Sequence, residues 1–451
     1  MASGLTMVAL TLGALVLLWI TAEVVLRIAV GHGLATDFYG SIPRDDVRAE
    51  QERIGVRVVS GLGWAHLGWI ADPERERYRV ERRTASGEEL VARTRYGSLL
   101  VRVAGRYRVW ALPRGEGAPR LVGEADARPG AGAAPIRVPR IAGPWRALFR
   151  PAVHGTYIND HTIFRDREGR FRLLGITDRS RGNYDAERRF AHGVSETFPP
   201  DGGMREEEPV ADFGDLAWAP FVIESEGRHH LFWSPHRLEH MTSDDGVCWQ
   251  DRRTAIRAPM HRFFRDASVV EVAPGQFLLH ATGRGQWFSR VDVYQSFDLE
   301  RWQYIGPALR FRAGSERNSA FASTETPSVT AVDGRWVLVL TCNNGSRVWA
   351  PIWLLLRRWP DPPTYNDTLV FHADNPYAFG DYRGRWRSPA LLTTLETHAP
   401  RLYRHPETGA WWITTAGWPW AATLTSGEVA VAPLVWVEAA SATASVGREN
   451  V

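Results

Sequence analysis

Lysine is missing from this chain. All 54 basic residues are arginine, a bias that reads as genome base composition rather than function. The arginines are spread along the sequence and nearly balanced by 51 acids, for a net charge of +3. No basic stripe therefore marks a nucleic-acid-binding face. Cysteine is almost as scarce. Two residues, Cys248 and Cys342, exclude a disulfide framework and a thiolate zinc site. They leave either one bridge or two buried free thiols, and the second is the expectation. After the first 30 residues no helical periodicity of useful length occurs, which points to an all-β chain.

What is present fits a globular protein. Hydrophobic residues make up 44% and charged residues 23% of the 451 positions, enough for one large domain with a smaller module. Residues 5–22, LTMVALTLGALVLLWITA, form an uncharged run long enough to span a membrane. No basic residue precedes it and no small-x-small cleavage site ends it, so residues 5–30 read as a retained, single-pass anchor rather than a signal peptide. Arg27 follows the span, which leans the C-terminal bulk toward the cytoplasm. An outer polysaccharide substrate would argue the opposite side.

Residues 31–54 read as a juxtamembrane linker or helix. Residues 55–125 carry short Val-, Leu-, Tyr- and Arg-rich strands, a small β module. A Pro/Gly/Ala linker is expected over 126–143, and a β domain over 144–437 with a frayed tail after it. That domain repeats. Five segments share a strand, a glycine turn and a second strand, with turn glycines at Gly169, Gly227, Gly275, Gly334 and Gly409. Their spacings of 58, 48, 59 and 75 residues suit four-stranded blades, hence a five-bladed β-propeller. A β-sandwich would explain strands and turns but not five matched units.

Nine residues before the first four glycines stand Asp160, Trp218, Asp266 and Glu325, with His398 in the softer fifth unit. A purely structural inner strand would place apolar residues there. Three converging carboxylates repel one another and lose hydration, so they need a ligand to justify them. Two carboxyl groups flanking a glycosidic bond are what its hydrolysis requires.

Three motifs carry a resemblance. IND at 158–160, FRDASVV at 264–270 and TETPSV at 324–329 resemble the acid motifs of the five-bladed propeller glycosidases, glycoside hydrolase families 43, 32 and 68. WAPFV at 218–222 is similar to the second-blade motif of family 43. The resemblance spans residues 150–435. Ala267 stands where Pro is usual and Thr326 where the sucrose-type families have Cys.

The resemblance implies that Asp160 is the general base or nucleophile and Glu325 the general acid. Asp266 would sit beside Glu325 and raise its proton affinity. Arg265, on an alternating strand, is expected to point away from the funnel. Asn159 and Trp218 are expected as substrate contacts, with Trp287, Trp349 and Trp418 as further aromatic surface or as packing. His398 either helps hold a central ion such as calcium, or a water, or is a satisfied core histidine; no other cofactor or metal is implied. The expected function is a membrane-anchored glycoside hydrolase acting on a furanoside or related glycan. The alternatives are a lyase, isomerase or cyclase using the same funnel on a membrane-derived or secondary-metabolite substrate, and a non-catalytic carbohydrate-binding propeller.

Overall fold

Alternating runs rich in Val, Leu, Phe and Trp, punctuated by glycine turns, fold as strands throughout. The computed structural model describes residues 45–439 except 73–74, 154, 180–185, 211, 236, 258–264, 284–289, 312–322, 344–365, 385–387 and 420–422, with isolated positions before residue 45.

Five antiparallel sheets follow one another. The first blade is His161–Arg165, Phe171–Thr177, Arg189–Ser195 and Arg205–Val210. The second is Trp218–Ser225, Arg228–Ser234, Arg237–Ser243 and Gln250–Arg257. The third is Arg265–Ala273, Gln276–Gly283, Arg290–Ser296 and Gln303–Phe311, extended in parallel by Gly380–Tyr382. The fourth is Ser323–Val332, Arg335–Asn343, Asp367–Ala373 and Leu391–Glu396. The fifth is Leu402–Arg404, Trp411–Thr415 and Val429–Glu438, completed by Arg137–Ile141 from ahead of the first blade.

Each neighbouring pair shares an apolar core. Phe190 and Leu231 pack between the first and second blades, Phe232 and Val269 between the second and third, and Leu278 and Leu338 between the third and fourth. Val337 and Ile413 join the fourth to the fifth, and Phe171 and Val431 join the fifth to the first. Five interfaces for five sheets make a closed propeller-like ring. Pairing the N-terminal strand with the last blade supplies that blade's fourth strand from ahead of the first blade.

The turn glycines have a backbone reason. Glu226-Gly227 and Asp333-Gly334 both hold positive φ, at 53° and 75° and at 47° and 83°. Two successive left-handed residues form the hairpin turn whose twist matches the strands.

The N-terminal module has two sheets, one of Gly87–Thr94, Glu76–Thr84, Gly105–Pro113 and Arg120–Ala127, the other of Arg57–Gly61, Trp64–Gly68 and Ser98–Val101. Leu67, Trp69, Tyr78 and Val109 are buried in its core. It docks on the third blade, where Gln295 Nε2 donates to the carbonyls of Trp69 and Gly97, both at 2.9 Å.

Several expectations change. The stretch 126–143 is not a plain linker, because Arg137–Ile141 is the outer strand of the fifth blade. The segment 31–54 ends in a helix, Val47–Ile54, whose Val47 and Ile54 bury against Ile42 and Ile70; Arg301 ties its Glu50 to the third blade at 2.9 Å. Two turns of helix are too short to register as periodicity. Cys342 is buried but Cys248 is exposed, and both are free. The apolar run at 5–22 lies almost wholly outside the described residues, and no helix among the described residues is long and apolar enough to cross a membrane.

Candidate active site

Four blades begin their inner strand in the same way. Trp218-Ala219-Pro220-Phe221, Arg265-Asp266-Ala267-Ser268, Glu325-Thr326-Pro327-Ser328 and His398-Ala399-Pro400-Arg401 each place their second residue in the left-handed region, with φ of 49°, 58°, 46° and 46°. In the second, third and fourth blades the strand register slips at this point. The kink breaks the alternation of side chains and aims consecutive residues at the funnel.

This alignment revises the repeat. The third-blade hairpin carries one extra residue, a second register slip between Glu271 and Ala273. Arg265, ten residues before Gly275, is therefore the equivalent of Trp218, Glu325 and His398, and Asp266 occupies the left-handed position. The nine-residue offset of Asp266 is a coincidence of that bulge. Arg265 does not point away either. Its Nη2 donates to Glu325 Oε1 at 2.7 Å, and its Nε lies 3.5 Å from Asp266 Oδ2.

The left-handed residue also stitches blades together. The Asp266 N–H donates to Ser234 Oγ of the second blade at 3.0 Å, and the Ala399 N–H to Thr341 Oγ1 of the fourth at 3.0 Å. Between the third and fourth blades a carboxylate takes over the acceptor's role: Thr326 N–H donates to Asp266 Oδ2 at 3.1 Å. Asp266 thus fixes the backbone next to Glu325, while Arg265 fixes its side chain.

Asp160, Asp266 and Glu325 are 4%, 1% and 3% exposed. Burial, reinforced by Asp266 and Glu325, pushes the Asp160 carboxyl well above the ordinary carboxylate range against the pull of Arg265 and Arg401. Asp266 is raised by burial and by Glu325, with Arg265 opposing. Burial works against the Arg265 charge, but the acids outweigh it and raise its proton affinity. Arg265 thus lies against both Asp266 and Glu325.

Arg401 was not foreseen. It is 5% exposed, donates from Nε to the His161 carbonyl at 2.7 Å, and lays its guanidinium 5.3 Å from the Phe221 ring. Nη1 and Nη2 are buried without a protein partner. Burial lowers it to about 10, and Asp160 and Asp266 pull the other way. It stands where the other inner strands have Phe221, Ser268 and Ser328, so the aligned repeat held a signal for it. Among the described residues no group of three or more His, Cys, Asp or Glu is arranged to hold a metal ion. A fixed guanidinium beside the acids does not fit a central cation. His398 is fully buried, its ring 5.3 Å from Trp418.

Asn159 is buried, and its side-chain Oδ1 and Nδ2 have no protein partner, an arrangement that suits a substrate hydroxyl. Its backbone pairs with Ile176, whose N–H donates to the Asp160 carbonyl at 3.1 Å. A Cβ on Gly175 would meet Ile158 Cδ1 at 2.6 Å and the Asn159 carbonyl oxygen at 2.9 Å. Gly175→Ala is expected to cost about 1–3 kcal/mol in thermal or urea unfolding, as overpacking does, and to lower activity by displacing Asp160.

Trp218 lies half-buried at the funnel. Beside it stands Glu187, an acid in a non-repeating loop that the repeat could not reveal. Trp287 and Trp349 lie outside the described residues.

No protein-family model matches the chain, and no curated protein matches it. Among solved structures it is similar to a thermostable family-43 glycoside hydrolase, at 15% identity and a TM-score of 0.44, over 67% of this chain and 100% of that one. It is similar to a Bombyx mori GH32 beta-fructofuranosidase at 13% identity and 0.45, over 65% and 63%. An endo-arabinase from Bacteroides thetaiotaomicron aligns at 13% identity and a TM-score of 0.45, over 65% and 98%.

Proposed function

We propose that this chain is a glycoside hydrolase that cleaves a furanoside or related glycan with paired carboxyl groups, held at a membrane by its N-terminal apolar run. The observation that carries the reading is the convergence of Asp160, Asp266 and Glu325, all three almost fully buried, at one end of the ring. Glycoside hydrolysis needs one carboxyl protonated to release the leaving oxygen and one ionised to attack or to activate water. Beside the three acids stand two guanidiniums, Arg401 buried and Arg265 partly so, which stay charged near neutral pH and favour an ionised carboxyl next to them. The acid motifs give Asp160 the attacking or base role and Glu325 the acid role. Asp266 and Arg265 position Glu325. The sugar would lie between the charged third and fourth blades and the aromatic wall of Trp218 and Trp418.

Leaving-group dependence tests the roles. Glu325→Gln is expected to lower kcat/KM on a glycoside with a poor leaving group by roughly 10²–10⁴-fold. It should cost far less on a dinitrophenyl glycoside, whose leaving group needs no proton. Full activity on both substrates would remove Glu325 from the chemistry. The same pattern seen with Asp160→Asn instead would exchange the two roles. Failure to turn over any glycoside by the wild-type chain would favour a lyase, isomerase or cyclase using the same funnel.

A further inference from the structure

Glu187 lies just before the strand Arg189–Ser195 of the first blade and is 1% exposed. Its Oε1 accepts a hydrogen bond from the Tyr157 hydroxyl and another from Trp418 Nε1 at 3.4 Å. The Trp218 indole also interacts with the same carboxyl. One carboxyl thus gathers donors from the entrances of the first, second and fifth blades. Trp418, so held, also lies against the His398 ring. Trp218 is half-buried, whereas Glu187, Tyr157 and Trp418 are buried.

We infer that Glu187 is a positioning residue for substrate: it clasps Trp218 and Trp418 into a two-indole wall that takes the apolar face of a sugar ring. The inference rests on the hydrolase reading for its ligand but not for the clasp itself. Indole faces suit the C–H face of a sugar ring, and their N–H edges need a buried acceptor. An ionised carboxylate is acceptor-only and matches a set of donors. Once protonated, one oxygen becomes a donor and the carboxyl is a weaker acceptor, so the indole contacts weaken.

Burial, partly offset by the Tyr157 and Trp418 hydrogen bonds and reinforced by nearby Asp178, raises Glu187 to about 7. The clasp therefore tightens as pH rises through neutrality. Among the described residues, Tyr157 and Asp178 are the titratable groups that face it, and His398 lies beyond Trp418.

The test labels the chain with 5-fluorotryptophan and follows fluorine resonances against pH. Trp218→Phe and Trp418→Phe assign the two signals, and the other indoles report that each variant is folded. Both assigned signals are expected to move with one midpoint near 7, and Glu187→Gln to abolish the movement. No titration, or a titration that survives E187Q, overturns the clasp without reference to any substrate. With an aryl furanoside as probe, wild-type KM is expected to fall roughly three- to tenfold as pH rises through that midpoint, the scale of one aromatic contact. E187Q should hold KM flat and high while kcat moves by less than about twofold. A wild-type KM that ignores pH while the fluorine signals titrate overturns the link to substrate. Absence of any glycoside turnover sinks the hydrolase reading, and the fluorine result still decides the clasp.

Discussion

Asp160→Asn is expected to abolish most activity and yet make the protein more stable at neutral pH. The catalytic loss should be roughly 10²–10⁴-fold in kcat, the usual contribution of a positioned acid or base. The gain in stability follows from linkage. Burial first, then Asp266 and Glu325, raise the folded-state proton affinity of Asp160 above its ordinary value of 3.8. The native chain therefore binds that proton more tightly than the unfolded chain does. Its contribution to stability is complete below 3.8 and is lost as pH rises through the folded-state value. Asparagine has the same shape and never charges, so it escapes that loss. Thermal midpoints of both proteins, taken from acid to neutral pH, should diverge upward from the ordinary carboxylate range, with the variant higher. A variant less stable than wild type at pH 7 would mean that the acids are not in electrostatic conflict.

The second large effect belongs to Arg265. Its guanidinium bridges Glu325 at 2.7 Å and Asp266 at 3.5 Å, and both acids are almost fully buried. Arg265→Met removes the charge and keeps most of the stem, leaving two buried carboxylates facing each other. Breaking a buried pair from one side costs about 3–5 kcal/mol, because the abandoned charge has no water to return to. Urea unfolding of the variant should show that loss. In the double variant Arg265→Met, Glu325→Gln the losses should not add, since glutamine removes one of the stranded charges. An additive pair, or a single variant within about 1 kcal/mol of wild type, contradicts the bridge. Lysine at this position should rescue only in part, because a single ammonium cannot reach two carboxylates as a planar fork does.

The second prediction depends on a feature that linear reading misplaced. Counting nine residues back from each glycine brought Asp160, Asp266 and Glu325 together, and all three do converge. It paired Asp266 with Glu325 as equivalents, when the equivalent of Glu325 is Arg265. The difference is one extra residue in a hairpin, between Glu271 and Ala273. A bulge leaves no mark in composition or spacing, because it is settled by how two strands pair. The same holds for the left-handed residues at 219, 266, 326 and 399. None is glycine, so nothing local announced that the strand would kink and turn Arg265 inward. Arg401 was more legible, since it stands in His398-Ala399-Pro400-Arg401 where the third and fourth blades carry serine. Glu187 was not legible at all. It belongs to a single loop, and its partners Tyr157 and Trp418 are distant in the chain.

The sequence by itself determined the blades. Strand-forming runs, glycine turns and a repeat of roughly fifty to sixty residues are local or periodic signals, and hydrophobic alternation follows from the pleat. It also determined which residue types reach the funnel, because a repeat carries equivalent positions to one axis. Tertiary structure alone decided the charges' partners, the docking of the N-terminal module, and the use of Arg137–Ile141 to close the ring. It also decided how tightly Asp160 holds a proton. Proton affinity depends on burial and on charges brought close by ring closure, and neither exists until the five sheets meet.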